Sequence, residues 1–135
     1  MALIKWRDEF SVGVDAMDAE HKTIIRMINE LNESMKNRSS DQEMGRIFRN
    51  LISYTQTHFA SEERYMESIG YPGLESQRSE HAGLVRELAQ LAREFKAGKL
   101  VIGKKLMGFL KDWLTNHILE SDMKYAAFAK QKVGN

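Results

Sequence analysis

The sequence predicts an all-α chain, folded as an antiparallel up-down-up-down four-helix bundle with an N-terminal arm. Apolar residues recur at spacings of three and four along most of the chain, the period of a helix with one buried face. The periodic runs are about 18–29 residues long and the breaks between them are short, which makes successive helices antiparallel neighbours. A single proline, Pro72, and the lack of alternating β-branched runs leave nothing that reads as strand.

At 135 residues the chain is expected to form one domain, 1–135. Hydrophobic residues make up 42% and charged residues 29%, the balance of a soluble globular protein. The 20 basic and 19 acidic side chains are intermixed and sum to +1, so no field is set up for nucleic acid or a membrane surface. There are no cysteines. That removes disulfides, thiolate metal sites, iron–sulfur clusters and cysteine nucleophiles, and leaves imidazole and carboxylate as the good metal ligands. The first residues meet charge too soon for a signal peptide, and no apolar run approaches membrane-spanning length. A cytoplasmic protein is the default expectation.

Residues 1–17 read as an irregular packing arm, with Trp6, Phe10, Val12 and Val14 apolar and Gly13 breaking regularity. A first helix is expected over about 18–36, capped by Asp18, with His21, Ile24, Ile28, Leu31 and Met35 facing in. Asn37 to Asp41 is a turn in which Ser40 or Asp41 caps the next helix. That helix, about 41–69, carries Ile47, Leu51, Thr55, His58 and Glu62 along one face and stops at Gly70-Tyr71-Pro72-Gly73. A third, about 74–96, has the seam Leu74, Gln77, His81, Leu84, Leu88, Leu91 and Phe95. A fourth, about 100–120, turns Leu106, Phe109, Leu110, Trp113 and His117 inward, and a short helix over about 122–130 closes the chain.

His58 and Glu62 are one turn apart on an inward face, and a buried carboxylate beside a buried imidazole is expensive unless something such as a metal ion compensates it. All four histidines, His21, His58, His81 and His117, fall in different helices on inward positions. His117 and Asp122 are five apart, so an ordinary helix must end, bend or bulge between them if both are to reach one site. Carboxylates can bridge two cations and imidazoles can cap them, so this inventory suits a pair of transition-metal ions better than one. Any one of these histidines alone is better read as a satisfied core or surface residue; the convergence of all four with Glu62 and Asp122 reverses that. Glu63 and Glu80, beside ligand positions in sequence, are expected to face solvent. Most methionines read as gap-fillers.

The run Val12 to His21, then His58-Phe59 with Glu62-Glu63 and Met66, Tyr71-Pro72, His81, and Asn116-His117-Ile118 with Asp122 and Tyr125, resembles the hemerythrins, especially the single-domain bacterial ones. The match runs in order over nearly the whole chain. The resemblance implies a non-heme diiron centre, two iron ions with an oxo or hydroxo bridge, that binds O2 reversibly without turning over a substrate. It implies Glu62 and Asp122 as bridges, His21 and His58 on the iron open to O2, and His81 and His117 on the other. It also implies Ile24, Phe59, Trp113 and Leu114 as walls of the O2 pocket. One position departs: the family carries histidine four residues before His81, and this chain has Gln77. Its carbonyl can coordinate, hold a water, or leave the position open. An oxidase or peroxidase-like diiron enzyme, with that position open, is the alternative, and a bundle that only docks partners is a third reading.

Overall fold

The computed structural model describes residues 2–133; Met1 of the expected arm, and residues 134 and 135 of the expected single domain, lie outside the described residues. The helices are α1 (Asp15–Lys36), α2 (Asp41–Ser68), α3 (Leu74–Lys96), α4 (Lys104–Asn116) and α5 (Met123–Val133), with a π-helix at His117–Asp122 between the last two. Because α4, the π-helix and α5 run on without a break, the chain makes four antiparallel passes, the four-helix bundle its periodicity predicts. No strand occurs among the described residues, and none of the helices is long and apolar enough to cross a membrane.

The helix ends are set by local chemistry. Ser40 starts α2, its hydroxyl accepting from the Glu43 amide at 3.1 Å and satisfying one of the free N–H groups of the first turn. α2 and α3 end alike, with a glycine at positive φ (Gly70 at 69°, Gly98 at 76°). In each the amide after the glycine bonds back to a carbonyl five residues earlier, Tyr71 to Met66 and Lys99 to Glu94. α1 closes with the same turn, Ser39 to Ser34, but with Arg38 at φ 56° in the glycine position.

Three expectations need correction. The first helix begins at Asp15, and Asp18 caps nothing: its carboxylate accepts from the Ser11 hydroxyl (2.6 Å) and the Val12 amide (2.9 Å), tying the arm to α1. The fourth helix begins at Lys104 because Val101-Ile102-Gly103 stays irregular, with Ile102 buried in the core and Val101 exposed. Phe109 does not face inward; it is 39% exposed, and Met107 is buried at 1%. The buried face of α4 centres near Leu110, and Phe109 sits about 100° of helical rotation to one side of it.

The arm is fastened by Asn29, which accepts from the Ile4 amide (2.9 Å) and donates to the Ile4 carbonyl (2.8 Å). Two apolar clusters result. The larger fills the bundle with Ile24, Ile28, Leu31, Phe48, Leu51, Leu88, Met107, Leu110 and Leu114 among others. The smaller, Val12, Met17, Met66, Tyr125 and Ala126, closes the end where the arm meets α5. Between them lies a layer of buried polar side chains.

Candidate metal centre

Each pass contributes to that layer. α1 supplies His21, α2 His58 and Glu62, α3 Gln77 and His81, and the π-helix His117 and Asp122; all are no more than 4% exposed. The π-helix answers the phase problem of the last pair. Its i→i+5 hydrogen bonding widens the turn, so residues five apart come to one face.

The two carboxylates divide their oxygens between two histidine pairs. Oε2 of Glu62 lies 3.2 Å from Nε2 of His21 and 3.4 Å from Nε2 of His58, while Oε1 lies 3.1 Å from Nε2 of His81 and 3.7 Å from Nε2 of His117. Asp122 does the same, with Oδ2 3.0 Å from His21 and Oδ1 3.2 Å from His117. Two groups of possible ligand atoms follow, His21, His58, Glu62 and Asp122, and Glu62, His81, His117 and Asp122, each within 4.8 Å of one another. Tyr125 donates to Oε2 of Glu62 at 2.8 Å and fixes that carboxylate's orientation.

Two of the outward nitrogens are bonded to acids. Nδ1 of His58 bonds Glu20 (2.7 Å) and Nδ1 of His81 bonds Glu63 (2.8 Å); Glu80 lies 3.7 Å from Nδ1 of His117 and accepts from the Ser121 hydroxyl. A carboxylate at Nδ1 keeps the proton there and turns the Nε2 lone pair toward the interior, the usual outer arrangement around a metal-bound histidine. Glu63 and Glu80 therefore do not simply face solvent, as their helical phase suggests. Glu20, Glu63 and Glu80 each sit next in sequence to a site residue, and each reaches a histidine of the following pass. That adjacency is the sequence signal that could have found them.

Electrostatics describe the same layer. Burial would lower His21, but the close carboxylates of Asp122 and Glu62 outweigh it and bring it up to about 9. His117 rises to about 10 in the same way, against its burial, under the charge of Asp122 and contacts with Glu62 and Glu80. Burial and the charge of Glu62 push Asp122 up to about 6. Glu62 is buried too, but four histidines hold it well below the usual carboxylate range. Protons are thus packed where the donor set is made for cations. The fit to metal is direct: Nε2 of His58, His81 and His117, Oε1 of Glu62 and both oxygens of Asp122 are buried and make no hydrogen bond. Unpaired buried donors and acceptors of this kind are costly unless an ion takes them.

Ile24, Phe59, Trp113 and Leu114 are all buried. Phe59 stacks flat on His81, with ring centroids 3.9 Å apart, and meets His117 edge-on at 5.2 Å. It thus packs against both histidines of the second pair, whereas its place as an O2-pocket wall came from the resemblance.

A bundle with two histidine pairs facing two shared carboxylates defines the class of dimetal carboxylate proteins. The family described as Hemerythrin HHE cation binding domain matches residues 12–129. A bacteriohemerythrin of Methylococcus capsulatus is 38% identical over 93% of this chain and 95% of its own length. One of Stenotrophomonas maltophilia is 34% identical over 93% and 81%. A crystal structure of wild-type hemerythrin superposes with a TM-score of 0.86 at 35% identity, covering 93% of this chain and 97% of that one. The chain belongs to the hemerythrin family. It is a non-heme diiron protein that binds oxygen, and not an enzyme; the oxidase alternative finds no support in these relatives.

Proposed function

We propose that this chain binds O2 reversibly, for storage, delivery or sensing, with Glu62 and Asp122 as the carboxylates that two irons would share. His21 and His58 would hold the iron that meets O2, and His81 and His117 would hold the other. The observation that carries this is the division of each carboxylate's two oxygens between the two histidine pairs. Iron, when bound, supplies the electrons and the open position that O2 needs.

The protein's part is to prepare the donors and keep the site dry. Glu20 and Glu63 hold protons at Nδ1 of His58 and His81, so that Nε2 stays a lone-pair donor. The Tyr125 hydroxyl keeps its proton on the bond to Glu62, since burial first, and then the nearby carboxylates, push its phenol far up. Ile24, Phe59, Trp113 and Leu114 exclude water from the side facing the core. A cytoplasmic location belongs to the same proposal and rests on the sequence expectation alone.

The test is the visible spectrum of anaerobically iron-loaded protein, in argon, in air, and after O2 is removed again. A charge-transfer band that comes with air and goes with deoxygenation is expected. A band that decays and does not return would overturn reversible binding.

A further inference from the structure

Gln77 is 4% exposed and lies one turn before His81 on α3. Its Nε2 donates to the Ser121 carbonyl at 2.8 Å, in the π-helix and immediately before Asp122. A carbonyl can only accept, so this bond fixes which end of the amide is which. The other end, Oε1, is buried and makes no hydrogen bond among the described residues. A buried amide oxygen left this way carries its full desolvation cost, so it is the mark of a missing partner rather than of a seam residue setting helix register.

We propose that Gln77 is a metal ligand through Oε1, giving the cation held by His81 and His117 a neutral oxygen donor and making the two metal positions chemically unequal. The inference rests on the dimetal reading of the site. The amide divides its work as an imidazole would: one end donates to Ser121, and the other offers a lone pair. What changes is the donor. An amide oxygen is harder and weaker than imidazole nitrogen, so the position loses grip on borderline ions such as Co2+ more than on harder ones such as Mn2+. Ser121 serves the arrangement twice, through its carbonyl to Gln77 and its hydroxyl to Glu80, which joins α3 to the π-helix on both sides of the ligand.

The experiment is a titration of metal-free protein with Co2+ and with Mn2+, followed by calorimetry and by metal content after gel filtration. The parent is compared with Gln77→Leu and Gln77→His. The parent is expected to take up two ions with unequal affinity. Gln77→Leu should weaken only the weaker position, by at least roughly tenfold, the low end of what losing even an outer partner of a metal ligand costs. Gln77→His, which can still donate to Ser121, should strengthen that position for Co2+ by a larger factor than for Mn2+. Because Gln77→His keeps both polar functions, it remains informative if Gln77→Leu folds poorly, which circular dichroism reports. Two ions bound equally well by all three proteins would overturn the ligand role of Gln77 and leave the dimetal reading standing. A parent that takes up no ion would overturn both.

Discussion

Glu20 precedes His21 in the chain but serves His58: its Oε1 lies 2.7 Å from Nδ1 of that imidazole, across the interface of α1 and α2. Its other oxygen accepts from Ser61 at 3.0 Å. Burial alone would raise this carboxyl, but the His58 and Ser61 hydrogen bonds hold it below its usual value, so it stays an anion. Glu20→Gln keeps the shape and removes the charge that makes His58 a strong donor. Iron affinity should fall roughly 10–100-fold with the helix content unchanged. Competition with a chromogenic chelator measures the first and circular dichroism the second. An affinity equal to the parent's would show that the Glu20 charge does not act on the site.

The metal-free protein should lose stability as pH rises. His21 and His117 stand at about 9 and about 10, above the ordinary 6.5. Their contribution is complete below pH 6.5 and is lost as pH passes through those two values. Asp122, raised from 3.8 to about 6, acts in the same direction at lower pH. Glu62 acts oppositely, its contribution present above pH 4.5 and lost only in acid. The urea midpoint of metal-free protein should therefore fall steadily between about pH 6 and 10. Metal affinity should climb over the same range, because ions must displace those protons. A flat urea midpoint would contradict the assignment.

Arg38→Gly should stabilise the fold. Arg38 holds φ 56° in a turn whose counterparts at Gly70 and Gly98 are glycines. Relief of roughly 1–2 kcal/mol of left-handed strain, less the roughly 0.5–1 kcal/mol of freedom that glycine adds to the unfolded chain, leaves a gain of about 0.5–1 kcal/mol. Denaturant titration of the metal-free protein reads it without interference from the site.

Much of this was legible because helices advertise their buried faces. The starts of α2 and α3 and the ends of α1 and α3 fall where caps, glycine and Pro72 place them, and His21, His58, Glu62, His81, His117 and Asp122 lie on those faces. What was not legible depends on neighbours. Helical phase puts Glu63 and Glu80 about 100° off the ligand stripe, and a single helix cannot show that a carboxylate reaches round to the next one. Asp18 looked like a cap because its rival partners, Ser11 and Val12, lie in the arm, where no periodicity operates. Phe109 was misplaced for a similar reason: a stripe of large apolar residues marks a face only to within one position, and Met107 on the other flank took the buried place.

The polar layer divides the hydrophobic interior into two unequal lobes, and this bears on how the protein comes apart. Among the described residues the smaller lobe is built on Val12, Met17, Met66, Tyr125 and Ala126, far fewer buried side chains than the larger one has, and the Tyr125 bond to Glu62 ties it to the layer. Local stability in proteins follows such contact density. With ions in place the layer binds all four passes together, and unfolding should be a single cooperative transition. Stripped of metal, the Val12 end of the arm and α5 should exchange their amide hydrogens well before the larger lobe does, so that one folding unit becomes two.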